Sequence, residues 1–218
     1  MKKFFIKFIL ILTLICLSFI DLNSNIVNNN NINDDSIKID SVLIVDTVFI
    51  ELNKINDSIR NSIKVQLIDE VEKHIQINTR YSKSSYHKDL PSYLVEHGLN
   101  MNFNICFMMA QTQIETNYGT TGIGRETSKR SLFGFVSKSY QNYNDAIINY
   151  ITIIKKNYLG DKKTEMHLLK SYKTLGGYRY ASDVNYEAKL TKAYNYLTQN
   201  TNIQNLQNLY YSYGDNME

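Results

Sequence analysis

The chain has 218 residues, 43% hydrophobic and 21% charged: enough apolar material for one domain with a real core, and too balanced for bulk disorder. One Pro, nine Gly and two Cys argue against a turn-rich β-sandwich or propeller and exclude a disulfide scaffold or a Cys-rich zinc site. The formal charge of +3 belongs to Lys2, Lys3 and Lys7; residues 21–79 carry −5 and residues 80–218 carry +5, with no basic stripe of the kind nucleic acid requires.

Residues 1–21 read as a signal peptide or an uncleaved membrane anchor. A basic start precedes the 13-residue apolar run Phe8–Ile20, which is short for a membrane span. Residues 4–20 would supply the anchoring, and Cys16 is a candidate lipidation site. On either reading the rest of the chain is exported. Residues 22–54 form an Asn-rich, low-complexity spacer expected to be disordered, within which Val42–Val45 and Val48–Ile50 suit a short strand or docking segment. Residues 55–79 predict an amphipathic helix, because Ile59, Ile63, Leu67, Val71 and Ile75 recur every four positions.

Residues 80–200 hold eight of the nine Gly and read as a mainly α domain. A short helix spans Pro91–His97, stopped by Gly98. Asn104 caps a helix to about Tyr118, with Gly119 as its stop. Asn144 caps Asp145–Tyr158, Thr164 caps a helix to Leu175, and Asp183 caps a last long helix bearing Tyr186, Leu190, Ala193, Tyr194 and Leu197. Residues 201–218 read as a polar tail.

The most informative stretch runs from Asn104 to Gly119. Seven of its first eleven residues are apolar and are spread around the helix, so the helix should be central. Glu115 lies at its C-terminal end with Gln111 one turn before. Burial and the negative end of the helix dipole both disfavour an ionised carboxylate there. A carboxyl that keeps its proton near neutral pH suits a general acid for glycosidic cleavage; a Glu simply emerging into solvent at a helix end is the plainer alternative.

Four ordered blocks carry a family likeness. AQTQIETNYG (Ala110–Gly119), SLFGF (Ser131–Phe135), YQNYNDAIINYITII (Tyr140–Ile154) and GGYRYASDVNYEAKL (Gly176–Leu190) resemble motifs of the bacterial and phage β-N-acetylglucosaminidases of glycoside hydrolase family 73. The resemblance spans about residues 86–198. It implies a lysozyme-like α domain with a reduced β-lobe, needing no cofactor or metal and acting on the glycan strands of peptidoglycan. By that likeness Glu115 is the general acid, and Tyr180 faces it to stabilise the developing positive sugar or hold an acetamido group. Gln111, Tyr118, Phe133 and Gly134 would contact sugar or shape the groove, and Tyr140 and Asp183 are further substrate-binding candidates. Tyr143 is a second groove aromatic beside Tyr140, while Asp183 fits an N-cap better, and Tyr150, Tyr186 and Tyr194 fit core or interface positions.

The likeness has departures. Ser131 stands for the family's Asn and Val184 for its Pro. The stretch that would build the β-lobe is short. Glu126, Asp145 and Asp183 are the nearby carboxylates, and none matches a family base, which leaves the substrate's own acetamido group as the candidate nucleophile. Outside the enzyme class, the same fold suits a wall-binding or virion module that has lost turnover; within it, muramidase specificity is an alternative. Cys106 beside apolar neighbours reads as a buried structural thiol, and His74, His87, His97 and His167 lack zinc-binding spacing. Oligomeric state is left open by the sequence.

Overall fold

The computed structural model describes residues 34–126, 129–135, 138–161 and 163–214, with side chains from Asp46 onward. The signal or anchor segment, Cys16 and the first part of the Asn-rich spacer lie outside these residues. Among the described residues the protein is mainly helical and contains no strand, and none of its helices is long and apolar enough to cross a membrane. In chain order the helices are α1 (Asp34–Thr79), α2 (Leu90–Asn100), α3 (Ile105–Thr116), α4 (Gly122–Arg125), α5 (Tyr143–Ile154), α6 (Glu165–Leu168), α7 (Tyr186–Asn200) and α8 (Ile203–Ser212). A π-helical turn, Lys155–Leu159, follows α5 directly.

The strand expected near Val42–Ile50 is helix instead. A β-branched run with no partner strand leaves its backbone groups unpaired, whereas a helix pairs them internally. No Pro or Gly interrupts residues 34–79, so helix continues from the spacer into the predicted amphipathic segment. The chain divides into two compact units between Lys54 and Ile55. In the second unit, Ile63, Leu67, Val71 and Ile75 are buried as their four-residue spacing requires.

α3 is the centre of that unit. Every residue from Ile105 to Thr112 is buried, and it packs most extensively on α7, with α2, α4 and α8 also against it. Its start is closed twice: Asn104 Oδ1 accepts from the Phe107 amide at 2.8 Å, and Gln207 Oε1 of α8 accepts from the Ile105 amide at 3.0 Å. Residues 203–212 are therefore not a solvated tail. Ile203 and Leu206 are buried, and Gln207 Nε2 also donates to the Phe103 carbonyl at 2.9 Å.

Several boundaries differ from expectation for local reasons. α2 passes through Gly98, which is needed for space rather than as a stop: a Cβ there would sit 2.5 Å from Ile105 Cγ1. Asn142, not Asn144, caps α5, accepting from the Asp145 amide at 2.8 Å, while Asn144 Oδ1 meets His97 Nε2 at 2.5 Å. The helix expected from Thr164 to Leu175 ends at Leu168, because residues 172–180 form a small antiparallel turn. The Tyr180 amide donates to the Tyr172 carbonyl at 2.9 Å and the Thr174 amide to the Tyr178 carbonyl at 2.8 Å. α7 is preceded by Asn185 rather than Asp183; Asp183 Oδ1 accepts from the Asn185 amide at 2.9 Å and its Oδ2 from Lys189 at 2.7 Å.

Candidate active site

Glu115 projects from the last turn of α3 into a cavity of about 390 Å³, lined also by Gly134, Phe135, Tyr158, Tyr180, Ala181 and Ser182. Three chain segments meet there: the 131–135 loop, the π-helical turn and the approach to α7. The loop is fixed to α3 by Thr116, whose hydroxyl donates to the Leu132 carbonyl at 2.8 Å, and is tied to itself by Ser131 Oγ donating to the Phe135 carbonyl at 3.1 Å. The Tyr180 phenol donates to the Phe133 carbonyl, closing the loop against the far wall.

This fixes how Gly134 meets the carboxyl. Its φ of +75° suits glycine, and a Cβ would lie 2.2 Å from Glu115 Oε2. The other oxygen, Oε1, accepts from the Tyr186 phenol at 2.5 Å. Burial pushes the Glu115 carboxyl above the usual carboxylate range, and the Tyr186 hydrogen bond opposes that rise. Burial pushes the Tyr186 phenol up in turn, so it remains the donor. Oε1 thus meets the Tyr186 hydroxyl and Oε2 meets Gly134, which holds the carboxyl plane between the two.

Behind the cavity lies a buried polar cluster. Gln111 Oε1 accepts from Tyr150 at 2.5 Å and from Tyr172 at 2.7 Å, and the Tyr172 ring stacks on Tyr180 with centroids 4.3 Å apart. Burial holds the Tyr150, Tyr172 and Tyr180 phenols well above their ordinary range. Gln111 Nε2 is buried with no hydrogen-bond partner among the described residues.

The sequence-predicted residues therefore separate. Glu115, Tyr180 and Gly134 share one cavity. Gln111 supports the cavity from behind and does not line it. Tyr118 is fully buried, edge-on to His74 at 6.0 Å, because the αL turn after α3 folds it inward rather than into a groove. Phe133 is likewise buried, stacked 3.7 Å from Tyr150; its carbonyl serves the site, its ring the core. Tyr140 hydrogen-bonds Asn149 at 3.1 Å and lines a separate cavity with Asp145. Tyr143 donates to the Gly124 carbonyl at 2.8 Å. Asp183 is held by Lys189, and neither it, Asp145 nor Glu126 lines the Glu115 cavity.

Tyr186 takes the core position that its helical spacing predicts. It is buried as a core residue should be, yet its hydroxyl reaches the acid. Its place within the Gly176–Leu190 block, which also carries Tyr180, was the available signal. Cys106 is buried and its thiol is pushed up to about 12 by desolvation, which suits structure and not nucleophilic attack. No cluster of three His, Cys, Asp or Glu able to hold a metal occurs among the described residues. No family model, curated protein or solved structure matches the chain.

Proposed function

We propose that the chain is a peptidoglycan hydrolase cleaving the β-1,4 bond of GlcNAc–MurNAc strands, an endo-β-N-acetylglucosaminidase with Glu115 as general acid. The observation that carries this is the Glu115 carboxyl, half-buried in a phenol-lined cavity and biased by that burial toward its protonated form. The four ordered sequence blocks that meet at this cavity or support it favour the same substrate class. In this reading Oε2 of Glu115 protonates the departing glycosidic oxygen. Tyr186 fixes the carboxyl plane, and the Tyr180 ring presents an electron-rich wall to the positive sugar.

Among the described residues, Glu115 is the one carboxylate that lines the cavity. Hydrolysis there relies on the substrate's acetamido group as internal nucleophile, with Glu115 then acting as base toward water. The lone carboxylate also favours a second reading, a wall-binding module of the same architecture without turnover. Zymography on peptidoglycan decides between them: the wild-type chain clears and Glu115→Gln does not. Clearing by both, or by neither, rejects the assignment. Mass spectrometry of released fragments, showing GlcNAc rather than MurNAc at the new reducing end, separates glucosaminidase from muramidase.

A further inference from the structure

Gln111 and Glu115 stand one turn apart on α3, so their side chains leave the helix on the same face. Gln111 is fully buried, and its Oε1 takes two hydrogen bonds, from Tyr150 of α5 at 2.5 Å and from Tyr172, at the start of the 172–180 turn, at 2.7 Å. Each of these rings then lies flat on a residue of the cavity's surround. Tyr150 stacks on Phe133 with centroids 3.7 Å apart and planes 6° from parallel, and Tyr172 stacks on Tyr180 at 4.3 Å and 16°. The Tyr180 phenol in turn donates to the Phe133 carbonyl. Gln111, Tyr150, Phe133, Tyr180 and Tyr172 thus form a closed circuit, joined by three hydrogen bonds and two ring stacks.

The circuit reaches the acid by three routes. Phe133 carries Gly134 as its neighbour in the chain, and Gly134 is the residue pressed on Glu115 Oε2. Tyr180 lines the cavity itself. Tyr186, the donor to Oε1, packs its ring 5.8 Å from Tyr172 and 5.4 Å from Tyr180. One carbonyl oxygen ties these together. A carbonyl accepts at two lone pairs, and both of those on Gln111 are used. The nitrogen of the same amide is buried with no partner among the described residues, so the hold runs through Oε1 alone. An unpaired buried donor is also a cost that a purely space-filling side chain avoids.

We propose that Gln111 is a positioning residue for Glu115: through Tyr150 and Tyr172, its carbonyl oxygen sets the Gly134 loop and the Tyr180 wall against the carboxyl one turn along the same helix. What that spacing does for catalysis rests on the hydrolase reading. Burial is the largest influence on the Glu115 carboxyl and raises it, and the Tyr186 hydrogen bond opposes that rise. The other titratable groups facing the carboxyl are the phenols of Tyr158, Tyr180 and Tyr186, and among the described residues no second charged side chain lines the cavity. Walls released from Gln111 admit water to the carboxyl, and the ionised form gains. The effect is therefore downward, opposite to that of removing the Tyr186 hydroxyl.

The test follows Glu115 by carbon-13 NMR in the full chain labelled at its Glu carboxyls, with Glu115→Gln identifying the signal. Gln111→Met fills the same space without an acceptor. It should lower the Glu115 titration midpoint by about one pH unit, a tenfold loss of proton affinity, and carry the alkaline limb of wall clearing down with it. Gln111→Met also strands two phenols, so a second variant separates placement from stability. In Gln111→Met/Tyr150→Phe/Tyr172→Phe the whole polar group is replaced by apolar side chains of similar shape, a change that is close to neutral for folding. The midpoint should stay low in this triple variant although its Tm returns toward that of the wild type. A midpoint that is unchanged or raised in Gln111→Met, or that recovers together with Tm in the triple variant, overturns the proposal. A wild-type chain that fails to clear walls, with the midpoints shifted as expected, rejects the hydrolase reading and leaves the role of Gln111 supported.

Discussion

Glu115 is governed by its burial and by Tyr186, with opposite effects. The Tyr186 phenol stabilises the ionised carboxylate, so Tyr186→Phe raises the carboxyl pKa further. A general acid works while protonated, and the alkaline limb of the pH–activity profile should therefore move to higher pH in that variant, with lower peak activity from a less fixed carboxyl. Gly134→Ala places a methyl inside the contact distance of Oε2 at a φ that costs an alanine roughly 1 kcal/mol. At least a tenfold fall in clearing activity is expected, with only a small loss of stability. Glu115 also carries a stability signature. Its folded pKa lies above its unfolded one, so its unfavourable contribution is absent at low pH and grows as pH rises past the unfolded value. Glu115→Gln should accordingly raise Tm more at pH 7 than at pH 4 in paired thermal melts. Sequence marked Glu115, Gly134 and Tyr180 because chemistry and motif coincide at those positions. It misplaced Tyr118 and Phe133 because a motif names an aromatic without saying which way the backbone turns it.

The helices that position the acid depend on polar side chains as much as on apolar ones. α3 begins in the protein interior, where unpaired amides are costly, and Gln207 supplies both an acceptor for Ile105 and a donor for Phe103. Gln207→Ala removes both bonds while keeping the helix, and a loss of about 1–3 kcal/mol in urea unfolding is expected. This contact was illegible in the sequence, since α8 is built from Asn, Gln, Leu and Tyr with no strong cap, and residues 201–218 look merely polar. α3 itself was legible from Asn104 and its apolar surround, as was α1 beyond Asn56 from its four-residue spacing. The extension of α1 back to Asp34 was not, because its β-branched residues satisfy a strand pattern equally well. The early end of α6 was hidden for another reason: the competing turn at residues 172–180 places Tyr172 beside Gln111, a long-range contact that local propensity does not register.

At the scale of the whole molecule, the Glu115 cavity and the buried core lie in the unit that begins at Ile55. Phe49, Ile50 and Leu52 of α1 are exposed, whereas Ile63 and the inward residues after it are buried. A chain beginning at Ile55 should therefore unfold cooperatively with a Tm close to that of the full chain, and circular dichroism melts of the two would check this. Leu67→Ala, at a fully buried position, should cost about 2–5 kcal/mol in either background.

The buried phenols of the core and of the cavity wall have a consequence in strong base. Tyr118, Tyr150, Tyr172 and Tyr180 all resist ionisation in the folded protein, while in the unfolded chain each loses its proton near pH 10. Below that pH the two states bind equal numbers of protons at these sites; above it the unfolded chain holds fewer, and every further increment of pH favours it. Alkaline denaturation should then be abrupt, with several tyrosinates appearing together as the core opens. The chain has 17 Tyr and no Trp, so ultraviolet difference absorbance follows that event without interference: a gradual rise from exposed rings, then a single cooperative step.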